Sequence, residues 1–131
     1  MKFTNIPYKR ILLIDDDADD QELFQLALNK IGQNVQCKVM SGAKEALRFL
    51  EEETMTTDLI FLDLNMPLMT GQQFLLELKK QPNLCGIPVV VLSTSSDKEI
   101  IEEAKSLGAM KFFTKPSDFN ELKDIIQTLL N

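Results

Sequence analysis

Four short stretches carry the residues that can do chemistry. The apolar run Ile11–Ile14 is followed by an acidic run from Asp15 to Asp20. Leu59–Leu62 is followed by Asp63 and then Asn65. Val89–Leu92 is followed by Ser93, Thr94, Ser95 and Ser96, and a fourth stretch ends in Lys115-Pro116. A carboxylate so close to an apolar run is costly unless it is paired, hydrogen-bonded or metal-bound. Taken together, acids, hydroxyls and an ammonium suit the handling of a phosphoryl group. Asp63 can attack phosphorus and form an acyl phosphate. Lys115 neutralises charge on the transferring group, and a hydroxyl with nearby backbone N–H groups holds its other oxygens.

Each stretch alone has an ordinary use. A lone strand-end Asp caps the next turn. An acidic run at a helix start is a solvated cap favoured by the helix dipole. A Ser/Thr cluster is a loop with an N-cap, and a single Lys is surface. The coincidence of all of them on one site is what changes the reading.

That coincidence depends on the elements that position them. Ile11–Ile14, Leu59–Leu62 and Val89–Leu92 read as strands buried on both faces, as in a parallel sheet. Val35–Met40 and Met110–Thr114 read as weaker strands. Helical faces lie between them: Leu23, Phe24, Ala27 and Ile31; Ala43, Ala46, Leu47 and Leu50; Ile100, Ala104 and Leu107; Phe119, Leu122, Ile126 and Leu129. A shorter helix fits Gly71–Lys80. Ser96–Glu99 and Thr70–Gln73 match the capping-box spacing, Ser41 and Ser117 suit N-caps, and Gly108 suits a helix stop. Strand and helix alternate five times, which predicts an open parallel sheet with helices on both faces. Ligands in such sheets bind beyond the carboxyl ends of the strands, where all four stretches fall.

If Asp15, Asp16 and Asp63 lie together, three negative charges face the single positive charge of Lys115. The excess would raise the carboxylate pKa values, and one divalent cation balances it. Oxygen ligands from two or three protein groups suit Mg²⁺, with Mn²⁺ second. No Gly-rich phosphate loop of the form GxxxxGK[ST] is present, so the chain carries no donor site of that kind.

Composition bounds the rest. With 131 residues, 44% of them hydrophobic, the chain has the size of one domain with a real core. It contains no His, which excludes His metal sites, His general bases and Ser–His–Asp triads. A net charge of −6 argues against sequence-independent nucleic-acid binding. No apolar run is long enough for a membrane span, and the N-terminal residues lack a signal region, so the expectation is a cytoplasmic protein. Cys37 and Cys85 have no metal or redox spacing and read as buried or idle thiols.

The motifs "ILLIDDD", "LIFLDLNMPLMTG", "PVVVLSTS" and "KFFTKP", in this order, resemble the response-regulator receiver domain of two-component signalling over nearly the whole chain. The resemblance implies a flavodoxin-like (βα)5 fold with strand order 2-1-3-4-5. It implies a single receiver domain over 1–131, core about 9–130, with no output domain. Asp63 would be the phosphoacceptor, fed by a sensor histidine kinase or phosphotransfer protein. Asp16 and Asp63 would bind Mg²⁺ directly, Asn65 through its backbone carbonyl and Asp15 through water. Ser93 would be the switch hydroxyl, Thr94 would offer a backbone N–H, and Lys115 would contact the phosphoryl group. The domain would catalyse only its own phosphorylation and dephosphorylation. It would signal by contact with an unknown downstream protein or a second copy, through the fourth helix, fifth strand and fifth helix. The resemblance also implies a cis Lys115–Pro116 bond, against about 5–6% for X–Pro bonds generally.

Two features depart from the common pattern. Phe112 stands at the aromatic switch position where Tyr is frequent, so no phenol hydroxyl is available there. The segment 79–88, "KKQPNLCGIP", is long and resembles stand-alone receivers paired with phytochrome-type kinases. Two other readings compete. A haloacid-dehalogenase-type phosphatase would use Asp15 as nucleophile and Asp17 as acid, but leaves "DLNMPLMTG" without a role. A degenerate receiver would bind partners without phosphate, against the complete acid, hydroxyl and lysine set.

Overall fold

The computed structural model describes residues 8–31, 34–52 and 57–130. Five strands alternate with five helices. They are β1 (Arg10–Ile14), α1 (Ala18–Ile31), β2 (Gln36–Met40), α2 (Ala43–Glu52), β3 (Leu59–Leu62), α3 (Gly71–Lys79), β4 (Val89–Ser93), α4 (Lys98–Ser106), β5 (Lys111–Thr114) and α5 (Phe119–Leu130). All pairings are parallel, in the order β2-β1-β3-β4-β5. The expected fold and every expected strand are present, with ends shifted by at most one residue.

The continuous apolar runs have the reason given by their place in the sheet. β1, β3 and β4 are interior strands, and both of their faces meet helices. Leu12, Ile14, Ile60, Leu62, Val89 and Val91 face one core with α2, α3 and Ala104 of α4. Ile11, Leu13, Leu59, Phe61, Val90 and Leu92 face the other with Phe24, Ala27 and Leu28 of α1 and Ile126 and Leu130 of α5. β2 and β5 are edge strands with mixed burial, which is why their apolar signal is weaker.

Several local expectations are corrected. The buried face of α1 is Phe24, Ala27 and Leu28, with Ile31 partly covered, whereas Leu23 is 43% exposed. The helix is rotated by about one residue from the expected stripe, which keeps the i, i+3, i+4, i+7 spacing. Thr70 caps α3 in a full capping box with Gln73, as expected. α4 is capped by Asp97, not Ser96, because Asp97 accepts the Glu99 N–H. Asp118, not Ser117, accepts the Asn120 N–H at the start of α5. Ser41 does not cap α2; its hydroxyl accepts from Gln21 Nε2 at 3.1 Å. Gly108 follows α4 with φ 108°, the left-handed conformation that a helix stop requires. No helix among the described residues is long and apolar enough to cross a membrane.

Candidate functional site

Three residues just past their strands remain tied to the sheet by single backbone bonds. Asp15 N–H donates to the Met40 carbonyl at 3.1 Å, and Asp63 N–H to the Ile14 carbonyl at 2.9 Å. Lys115 N–H donates to the Ser93 carbonyl at 2.7 Å. The sheet therefore sets the positions of the two acids, the hydroxyl and the ammonium along one edge. Asp15 and Asp63 are buried at 4% and 5% exposure, and Ser93 is fully buried.

The expected cluster forms. Carboxylate oxygens of Asp15, Asp16 and Asp63 all lie within 4.8 Å of one another, with Asp16 on the exposed side. Lys115 Nζ lies 2.9 Å from Asp15, 3.7 Å from Asp63 and 2.6 Å from Asp20. Burial pushes the Asp63 carboxyl up to about 6 from 3.8; Lys115 opposes this, and Asp15 adds to it. Burial likewise raises Asp15, partly offset by the Asp17 N–H, which donates to its Oδ1 at 2.9 Å, and by Lys115. Burial alone would lower the Lys115 pKa, but its bonds to Asp20 and then Asp15 hold it above the ordinary lysine value. Two buried acids that resist ionisation beside a third on the rim make a strong oxygen donor set for a divalent cation.

Other candidate residues lie around this core. Asn65 N–H approaches Asp63 Oδ1 at 3.4 Å, and Asn65 Nδ2 donates to the Thr94 hydroxyl at 3.3 Å. The Ser93 hydroxyl accepts from the Ser95 N–H at 3.2 Å. Phe112, on β5, is half-buried against the core that includes Ala104 of α4. Lys115–Pro116 is trans, because the described residues contain no cis peptide bond. The expected cis bond is therefore corrected. The trans form is the lower-energy one for X–Pro, and the lysine side chain reaches the acids from it.

The acidic run separates into distinct jobs that its sequence does not resolve. Asp15 and Asp16 belong to the cluster. Asp17 is the cap: its Oδ1 accepts from Asp19 N–H at 2.8 Å and Asp20 N–H at 3.1 Å. Asp20 is the nearest partner of Lys115 and was not among the expected site residues. The sequence marks it only as one acid among several in the first turn of α1. Gln21 was also missed. Its Nε2 donates to the Asp15 carbonyl at 2.6 Å as well as to Ser41, tying the β1–α1 loop to the end of β2. Gly71 leaves room for the loop after Asp63: a Cβ there would stand 2.7 Å from the Asp63 carbonyl oxygen and from Leu64 Cα. Cys37, its thiol pushed up to about 12 by burial, and the exposed Cys85 are free cysteines.

Comparison with known proteins agrees with this geometry. The sequence profile of the response regulator receiver domain matches residues 11–127. The chain is similar to Response regulator Rcp1 of Synechocystis sp., with 32% identity over 126 residues, covering 92% of this chain and 86% of that one. It is similar to Two-component response regulator ORR8 of Oryza sativa subsp. indica, with 35% identity over 106 residues, covering 81% and 85%. Among solved structures, the phosphorylated cyanobacterial phytochrome response regulator RcpA matches with a TM-score of 0.85 at 33% identity, over 93% of this chain and 91% of that one. The Mn²⁺-bound form of response regulator Rcp1 matches with a TM-score of 0.83 at 30% identity, over 92% and 91%.

Proposed function

The chain belongs to the response regulator receiver domain family, and on that premise we propose that Asp63 accepts a phosphoryl group from a sensor histidine kinase or phosphotransfer protein. One observation carries the reading. The Asp15, Asp16 and Asp63 carboxylates gather within 4.8 Å, and the Lys115 ammonium stands 3.7 Å from Asp63.

In the proposed step an Asp63 carboxylate oxygen attacks phosphorus of a phosphohistidine or a small acyl phosphate. A new O–P bond forms, the bond from phosphorus to the donor nitrogen or oxygen breaks, and its electron pair leaves with the donor. Asp16 and Asp63, with the Asn65 carbonyl and a water held by Asp15, would bind Mg²⁺ or Mn²⁺, which neutralises charge on the phosphoryl oxygens. The solved Mn²⁺-bound relative supports this metal class. Lys115, Ser93 and the Thr94 N–H would hold the remaining oxygens. Burial of Asp63 excludes bulk water from the carboxylate until a donor arrives. The domain would turn over no substrate beyond its own phosphoryl group.

Output would follow from Ser93. A phosphoryl group at Asp63 would draw its hydroxyl away from the Ser95 N–H, and Phe112 would turn toward the space left. The surface of α4, β5 and α5 would change shape and dock an unknown downstream protein or a second copy of the chain. A phosphatase with Asp15 as nucleophile and Asp17 as acid has less to support it, because Asp17 is engaged as a helix cap. The test is intact mass after incubation with acetyl phosphate and Mg²⁺. One added phosphoryl group, labile to hydroxylamine, is expected; an unchanged mass, or repeated release of phosphate from many phosphomonoesters, overturns the reading.

A further inference from the structure

The anion nearest the Lys115 ammonium is neither the proposed phosphoacceptor nor a member of the metal cluster. It is Asp20, at 2.6 Å, compared with 2.9 Å to Asp15 and 3.7 Å to Asp63. The Asp20 side chain is 35% exposed, while those of Asp15 and Asp63 are 5% and 6% exposed. Lys115 therefore spans the boundary between the buried acids and the rim, with its shortest bond on the rim side. A cavity of about 50 Å³ lies there, lined in part by Asp20, Leu23, Lys115, Pro116 and Leu122. The ammonium is thus held toward α1 by a charge-assisted bond, beside this cavity.

An ammonium has three N–H donors. Two are engaged by the short bonds to Asp20 and Asp15, which leaves the third for an oxygen of a phosphoryl group on Asp63, whose carboxylate stands 3.7 Å away. The Asp20 bond, the shortest of the three, draws the ammonium toward α1, so turning it to a phosphoryl oxygen works against that bond. We propose that Asp20 is a positioning residue that parks the Lys115 ammonium away from the phosphoacceptor and competes with the phosphoryl group for it. The inference rests on the reading of Asp63 as phosphoacceptor. It gives the first turn of α1 a task beside the acids proposed to bind metal: it sets how readily the lysine commits to the phosphorylated state.

The test uses the full chain with saturating Mg²⁺ and beryllofluoride, a phosphoryl mimic, followed by amide NMR. Asp20→Asn should tighten beryllofluoride binding by about 5-fold, the size expected for removing one partly exposed ion pair that opposes binding. Asp20→Ala, a second neutral variant, should do the same. Tightening is not a result that general damage to the fold produces. Asp19→Asn is the control for charge alone, since Asp19 lies in the same first turn of α1 and makes none of the three Lys115 ion pairs. It should change affinity by less than about 2-fold, as a surface charge does. Equal tightening by Asp19→Asn and Asp20→Asn overturns the proposal in favour of through-space charge. Unchanged or weaker binding by both Asp20 variants also overturns it. Failure of the wild-type chain to bind beryllofluoride at all sinks the phosphoacceptor reading itself, and is distinct from either result.

Discussion

The Lys115 N–H donates to the Ser93 carbonyl oxygen at 2.7 Å, one step beyond the last β4–β5 pair, Ser93 with Thr114. The Ser93 hydroxyl and the Lys115 ammonium therefore sit on one hydrogen-bonded unit. A displacement of Ser93 reaches the lysine loop directly through backbone, and this link organises what is expected of variants at the site.

Asp63→Asn should abolish labelling by acetyl phosphate, because an amide is neither a nucleophile nor an anion. Intact mass and hydroxylamine lability measure it. Full labelling of this variant at another residue would sink the assignment.

Asp16→Ala should weaken Mg²⁺ binding by at least about 10-fold and slow phosphorylation to a similar degree, since it deletes the one exposed acid of the cluster. Isothermal titration with Mg²⁺, paired with labelling rates, checks both. Normal values for both would remove Asp16 from the metal site.

Stability of the metal-free protein should fall as pH rises through the Asp63 titration. The Asp63 pKa is raised in the fold to about 6 from 3.8, so the folded state holds the proton more tightly than the unfolded chain. Its favourable contribution is complete below 3.8 and is lost between 3.8 and about 6. With EDTA at pH 8, Asp63→Asn should be more stable than wild type by about 2–3 kcal/mol, and the gap should close toward pH 4. Urea unfolding across that range tests it; a gap that widened on acidification would contradict burial as the cause.

Gly71→Ala should cost about 1–3 kcal/mol, because its Cβ would meet the Asp63 carbonyl oxygen and Leu64 Cα at 2.7 Å, and backbone cannot turn aside as the Leu64 side-chain end can. The displaced Asp63 carbonyl should also slow labelling. Wild-type stability and rate together would show that the loop yields without consequence.

Beryllofluoride should change amide signals beyond the pocket, across residues 98–111 and the Phe112 ring. A hydrogen bond from Ser93 to a charged group is worth roughly 1.5–3 kcal/mol, enough to shift a two-state equilibrium by about 10- to 150-fold. Ser93→Ala should lose the distant changes and keep those near Asp63. Changes confined to the pocket loops in the wild-type chain would refute this output route.

Much of this protein is legible without coordinates, for a reason that lies in the sheet. Strands covered on both faces must be continuously apolar, so Ile11–Ile14, Leu59–Leu62 and Val89–Leu92 announce both themselves and the parallel order. The polar residues that break those runs, Asp15, Asp63 and Ser93, then mark the edge where ligands bind, and Lys115 marks it at the end of the weaker β5. What the sequence does not decide is how a run of like residues divides its work. Asp16, Asp17 and Asp20 differ in role only because the backbone turns into α1 between them, so that one faces the cluster, one caps the helix and one meets Lys115, 95 positions away. The same holds for the caps of α4 and α5, where a neighbouring Asp displaced the expected Ser, and for Leu23, exposed by a small rotation of α1. Periodicity fixes which face of an element is apolar; the turn angles and cross-sheet distances that assign a given carboxylate to a given partner exist only once the chain has closed.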